Sequence, residues 1–186
     1  MTGILLTAGR AERMGNKTLL PQKNGKPIFM SAIEAFKRWG VNDVIIVYAL
    51  RYQKLAMKEA LARQDYYKRP TNVSFLRRQP SGVVDAILAC EDLVAEDEPI
   101  VVLMGDNIYP DELLPKGLGW VTRESTNPYL LKIEDCLVST PWIFDRLDFE
   151  DQPVDLLLRK MSPIPLSGAG WYDIGTPETY EEYLRS

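Results

Sequence analysis

Four short apolar runs separated by stretches of helical period fill the first 106 residues, and they restrict the fold more than any other feature. "GILLTAG" is followed by "PIFMSAIEAFKRWG", "DVIIVYA", "YQKLAMKEALARQ", "NVSFLRR", "GVVDAILACEDLVA" and "PIVVLMGD". In order these read strand, helix, strand, helix, strand, helix, strand. Uninterrupted apolar strands are buried on both faces, which in turn requires helices above and below a parallel sheet. The pattern therefore predicts a Rossmann-like three-layer α/β/α arrangement with a mostly parallel central sheet. Gly40 stands where the first helix would stop.

Beyond residue 110 the pieces shorten: "LGWVTRE", "PYLLKIE", helix-like "TPWIFDRL" and "VDLLLRKM", and a last helix in "TPETYEEYL". Pro110, Pro115, Pro128, Pro141, Pro153, Pro163 and Pro165 punctuate this half, which reads as a smaller α+β continuation of one domain over residues 1–186. A hydrophobic fraction of 46% with 26% charged residues suits a globular protein. The net charge of -4 gives no reason to expect nucleic acid as a partner. No apolar run is long enough to span a bilayer and no signal segment opens the chain, so a cytoplasmic protein is expected, without a membrane partner. Cys90 and Cys136 sit in apolar contexts without C-x-x-C spacing and read as buried reduced thiols.

Histidine is absent. That excludes Ser-His-Asp and Cys-His nucleophile systems, imidazole bases and ordinary His-containing zinc sites. Chemistry must run on carboxylates, Lys, Arg and backbone amides, with room left for an oxygen-liganded metal.

In an open α/β sheet the loop after the first strand is the usual phosphate cradle. Here it holds "AGRAERMGNK", with Arg10, Arg13 and Lys17 in ten positions. A dinucleotide fingerprint fails, because Gly9 is followed by Ala11 and Met14 where glycines are needed. A Walker A loop fails too: five residues separate Gly9 from Gly15, and Asn16 precedes Lys17.

A third pattern fits. "AGRAERMGNKTLLPQKNGKP" resembles the opening of the sugar-1-phosphate nucleotidyltransferases, the NDP-sugar pyrophosphorylases and glucose-1-phosphate thymidylyltransferase-like enzymes, with Arg10 and Ala11 at two usual glycine positions. By position, Arg13 is the motif arginine, Lys17 the motif lysine, and Lys26 with Pro27 the closing pair. "RRQPSGVVDAILAC" is similar to the family's base-reading segment through Gln79 and Gly82. "PIVVLMGDN" resembles the strand that delivers a metal-holding aspartate, here Asp106, and "GWYDIGTPETYEEYL" the late element that supplies a second, Asp173. Thr176 and Pro177 also read as N-cap and first residue of the last helix.

The resemblance implies the nucleotide-diphospho-sugar transferase fold, with about residues 1–110 binding nucleotide and about 111–186 binding the acceptor and holding the second metal ligand. It implies triphosphate binding by Ala8, Gly9, Arg10, Ala11, Arg13 and Lys17. Gln79 and Gly82 are implied at the base, and Lys132 at the acceptor phosphate, although Leu131 replaces the family's glutamate beside it. Asp106 and Asp173 are implied ligands of Mg2+ or Mn2+. The partners implied are a nucleoside triphosphate, a pyrimidine one favoured, and a sugar 1-phosphate. The opening "GRAERMG" is also similar to molybdenum-cofactor-type nucleotidyltransferases, which leaves open a molybdopterin or phosphocholine-like acceptor, or a non-catalytic nucleotide sensor.

Overall fold

The computed structural model describes residues 1–9, 14–63, 72–79, 82–95, 98–109, 119–123, 136–139, 163–166 and 171–186. Its first strand, β1 (Thr2–Leu6), is buried along its whole length. It is flanked in parallel by β2 (Asp43–Tyr48) and β4 (Ile100–Met104), with Leu6 opposite Val47 on one side and Met104 on the other. β3 (Asn72–Arg77) continues the parallel set beyond β2. On the far side come β7 (Cys136–Ser139), β6 (Gly119–Arg123) and β8 (Pro163–Leu166), giving the order β3-β2-β1-β4-β7-β6-β8. Among these described strands only β7 runs against the rest: it is antiparallel to β4 and β6, and β6 is parallel to β8. The expected α/β fold with a mostly parallel sheet is therefore what forms.

Alternate residues of the strands feed two cores. Leu5, Val44, Ile46, Val101 and Leu103 pack with α1 (Phe29–Arg38) and α2 (Arg51–Arg63) on one face. Ile4, Leu6, Ile45, Val47, Ile100 and Val102 pack with α3 (Val83–Leu88) on the other. Two apolar faces on β1, β2 and β4 explain their uninterrupted apolar runs, while β3, expected to be buried on both faces, lies at the end of the described sheet order and exposes Asn72, Ser74 and Arg77.

The helix ends follow local chemistry. Gly40 adopts φ 73°, its N–H bonds to the Lys37 carbonyl and the Val41 N–H to that of Phe36, a Schellman stop at the expected glycine. The segment 82–95 departs from the expected single helix. α3 ends at Leu88 and a separate 3-10 turn follows at Glu91–Leu93. Glu91 and Asp92 lie just past the carboxyl end of α3, where the helix dipole disfavours negative charge. The final helix, α4 (Pro177–Arg185), opens with Thr176 and Thr179 bonding reciprocally to each other's N–H. The expected segments 128–134, 140–147 and 154–161 lie outside the described residues.

Cys90 is fully buried and its thiol donates to the Ala86 carbonyl at 3.4 Å. Burial pushes that thiol up to about 12. Because reactivity follows the thiolate, the Cys90 peptide should stay unmodified by iodoacetamide at pH 8.5 in the folded protein and react once guanidinium unfolds it. Peptide mapping by mass spectrometry checks this, and rapid native-state labelling would contradict the packing of α3.

Candidate active site

The chain leaves β1 at the carboxyl edge of the sheet, and the edge keeps its register for one more step. The Thr7 N–H bonds to the Val47 carbonyl at 2.9 Å and the Gly105 N–H to that of Leu6 at 2.8 Å. Gly105 is required there sterically. A Cβ would lie 2.6 Å from Thr7 Cγ2 and 3.1 Å from the Leu6 carbonyl oxygen. Thr7 cannot turn aside without losing the 2.6 Å bond from its hydroxyl to the Val47 carbonyl. So β4 approaches the opening loop closely, and the next residue, Asp106, is delivered beside it.

Lys17 starts a 3-10 turn, Lys17–Leu19, and its Nζ lies 2.9 Å from Asp106 Oδ2. Both side chains are part-buried, and the two motifs, 89 residues apart, meet as an ion pair. Asp106 leads directly into β5 (Asn107–Ile108), which pairs antiparallel with β9 (Tyr172–Asp173), Asn107 facing Asp173. The Ile174 N–H donates to the Asp106 carbonyl at 3.0 Å, so the main chains of the two aspartates run side by side. Trp171 Nε1 donates to Asn107 Oδ1 at 2.8 Å, and the Asn107 amide reaches Asp106 Oδ1 at 3.4 Å. Tyr109 closes the turn from β4 to β5, its hydroxyl accepting from the Met104 N–H and donating to the Met104 carbonyl.

A cavity of about 410 Å³ opens at this edge, and Ala8, Gly9, Lys17, Gln79, Gly82 and Asp106 are all in its wall. The structure thus gathers the expected loop, base-segment and first-aspartate positions around one space. Asp173 is not part of that wall and reaches the site through the β5–β9 pairing. Arg10, Ala11, Arg13 and Lys132 lie outside the described residues. Lys26 turns to Glu34, Nζ to Oε1 2.6 Å, and is not in the cavity wall.

The base segment is braced by contacts that sequence reading missed. Arg78 grips Asp85 through two bonds, Nε to Oδ2 at 2.8 Å and Nη2 to Oδ1 at 2.6 Å, bracketing Gln79 and Gly82. Hydrogen bonding to Asp85, reinforced by its charge, raises the Arg78 guanidinium above its ordinary value. Gly82 has φ 131°, open to glycine and strained for other residues, and among the described residues beyond its chain neighbours no atom lies within 4 Å of where its Cβ would be. The lysine turn is braced as well. Gln53 and Asn16 hydrogen-bond to each other at 3.1 Å in the cavity wall. Neither showed a distinguishing signal in the sequence, since Gln53 sits in a stretch that reads as an ordinary surface helix.

The Lys17–Asp106 pair stands at the carboxyl edge of an open, mostly parallel sheet, the edge at which such α/β folds bind their ligands. The model of the MobA-like NTP transferase domain matches residues 3–125, and the chain belongs to this nucleotidyltransferase family. Among curated proteins, the bifunctional protein GlmU of Blochmanniella pennsylvanica (strain BPEN) is 30% identical over 107 residues. That match takes in 56% of this chain and 22% of the relative's length. Among solved structures, a Bacillus anthracis protein described as a glucose-1-phosphate thymidylyltransferase, in complex with a sucrose, superposes with a TM-score of 0.77 at 17% identity. It covers 100% of this chain and 94% of that one. A UDP-glucose pyrophosphorylase complexed with UDP-glucose superposes at 0.71 with 18% identity, covering 99% and 97%. No helix among the described residues is long and apolar enough to cross a membrane.

The close approach at Gly105 generates a stability test. Gly105→Ala should destabilise the fold by about 1–3 kcal/mol through overpacking. Adding Thr7→Ser, which removes Cγ2 and keeps the hydroxyl, should recover part of that loss in urea unfolding. Full stability in Gly105→Ala alone would show that the two strand ends are not in contact.

Proposed function

We propose that the chain transfers a nucleotidyl group from a nucleoside triphosphate, preferably a pyrimidine one, to a sugar 1-phosphate, releasing pyrophosphate. The observation that carries this reading is the Lys17–Asp106 pair at 2.9 Å on the carboxyl edge, with Asp173 held in register one residue beyond Asp106. Residues 1–186 act as one domain in this reading, the first half taking the nucleotide and the second the acceptor.

The acceptor phosphate already carries about -1.5 to -2 charge near neutral pH, so it needs no base to become a nucleophile. One of its oxygens forms a bond to the α-phosphorus as the α–β bridging bond breaks, and the electron pair leaves with pyrophosphate. The task of the protein is to align two anions and offset the charge that builds between them. Lys17 offers a point charge to the triphosphate, and Arg13 a planar fork. Gln79 offers a donor and an acceptor to a base edge, while the open space over Gly82 admits a flat ring.

The donor set fits a hard divalent cation, because Asp106 and Asp173 are oxygen ligands and the Asp106 carboxylate already draws an ammonium to itself. Among the described residues no group of three or more acidic, Cys or His side chains gathers as a metal site. Two carboxylates with phosphate oxygens and water is the composition usual for Mg2+. Mg2+ or Mn2+ held by Asp106 and Asp173 would withdraw charge from the phosphate oxygens.

The match of a MobA-like family model over residues 3–125 favours a second reading, in which GTP and a molybdopterin-type phosphate are the substrates. A matrix of each nucleoside triphosphate against sugar 1-phosphates, phosphocholine and molybdopterin, scored by pyrophosphate release, separates the two. The expected strongest signal is UTP, dTTP or CTP with a hexose 1-phosphate. Release only with GTP and molybdopterin would replace the sugar reading, and tight nucleotide binding with no release anywhere would indicate a sensor.

Chelation by EDTA should abolish turnover, and added Mg2+ restore it. Asp106→Asn and Asp173→Asn should each lower kcat roughly 10²-fold or more with unchanged circular dichroism. Near-normal rates in both variants would eliminate the two-carboxylate site.

A further inference from the structure

Beside Lys17 the structure holds a hydrogen-bond donor that nothing among the described residues uses. Asn16 Nδ2 is buried and has no hydrogen-bond partner, the only such side-chain nitrogen or oxygen among the described residues. The other end of the same carboxamide is engaged twice: Oδ1 accepts from the Thr18 hydroxyl at 2.7 Å and from Gln53 Nε2 at 3.1 Å.

The orientation of that amide is determined rather than arbitrary. Gln53 is almost wholly buried, and its Oε1 accepts from the N–H groups of Ala49 and Leu50 at 3.1 and 2.9 Å. Those bonds fix Nε2 on the opposite side, where it donates to the Thr7 carbonyl at 3.4 Å and to Asn16. With a donor on each side of it, the Asn16 atom between Gln53 and Thr18 has to be the oxygen, and the nitrogen is left over. Flipping Asn16 would set two N–H groups against each other.

A buried unpaired donor is costly, and folded proteins carry few of them. Here a network anchored in three loops preserves that cost. Asn16, Lys17, Thr18 and Gln53 all belong to the wall of the same cavity. A ligand oxygen that reaches Nδ2, once a small shift of the turn uncovers it, would relieve the cost of the unpaired donor.

We propose that Asn16 is a nucleotide-binding residue whose Nδ2 donates to a phosphate oxygen of the triphosphate beside Lys17, and that Gln53 is the positioning residue that aims it. The inference rests on the nucleotide reading above. It adds a neutral donor to the charge of Lys17, and makes the helix after β2 part of the triphosphate site. Lys17 attracts any anion, whereas a fixed amide selects for an oxygen at one place.

Asn16→Asp tests the claim. The carboxylate keeps an acceptor for Thr18 and Gln53 and removes the Nδ2 donor, but it also adds a negative charge, so its result is read together with that of Gln53→Met, which adds none. Titration calorimetry with UTP, dTTP, CTP and GTP on the unaltered protein first identifies the nucleotide that binds tightest, and the variant is then titrated with that one. The expected result is affinity weakened roughly 10-fold to 100-fold, with the acceptor KM unchanged. Gln53→Met, similar in volume and unable to aim the amide, should weaken nucleotide binding by a smaller factor and likewise leave the acceptor KM alone. If Asn16→Asp does not fold, Gln53→Met carries the test through the same split between nucleotide affinity and acceptor KM. Unchanged nucleotide affinity in the folded variants, or an equal loss for nucleotide and acceptor, overturns the assignment. Failure of the unaltered protein to bind any of the four nucleotides would instead remove the nucleotide reading itself.

Discussion

The two-sided parallel pairing of β1 is the constraint on which the site depends. Because Leu6 is held between Val47 and Met104, the chain segments that leave β1, β2 and β4 all emerge at one edge and at one level. Gly105 then lets the end of β4 press against Thr7 where any side chain would force them apart. From that single alignment follow the meeting of Lys17 with Asp106, the position of Gln53 below the opening loop, and the cavity between them. A slip of one residue between β1 and β4 would exchange the buried faces of the strand and carry Asp106 away from Lys17.

β1, β2 and β4 were legible because each is covered on both sides, which leaves few polar residues to blur the run, whereas β3, at the end of the described sheet order, alternates exposed Asn72 and Ser74 with part-buried Val73 and Phe75. The stop at Gly40 and the cap at Thr176 were legible because each depends on a few neighbouring residues. Lys17, Asp106 and Asp173 stand out through motif resemblance alone, and the structure brings the three segments that carry them together. Gln53 and Asn16 were not found, since what distinguishes them is burial and partners 46 and 37 residues away, which no local pattern records. The Trp171–Asn107 bond was missed for the same reason. The division of 82–95 into α3 and a turn was missed because a continuous helical period outweighed the two acids at its end.

The comparisons divide along the chain. The family model spans residues 3–125, from β1 through β6. The structural neighbours extend over almost the whole chain, but at identities of 17% and 18% they speak to the fold.

The last helix reaches back to the opening motif. Tyr180 donates from its hydroxyl to the Pro21 carbonyl at 2.6 Å, the Lys23 N–H donates to the Tyr183 hydroxyl at 3.3 Å, and the Lys23 ammonium sits over the Tyr183 ring. These contacts join positions about 160 residues apart. The closing of so long a loop is an entropic toll that local helices do not face, and it falls on the segment directly after the Lys17 turn. A ribosome-bound chain can therefore complete the β1–β4 sheet and its cavity while the turn at Pro21–Pro27 still lacks its brace. The segment after the Lys17 turn gains this brace only once the tyrosines of α4 have been made and have docked, so the order of synthesis sets the order in which the two ends of the site can be tied together.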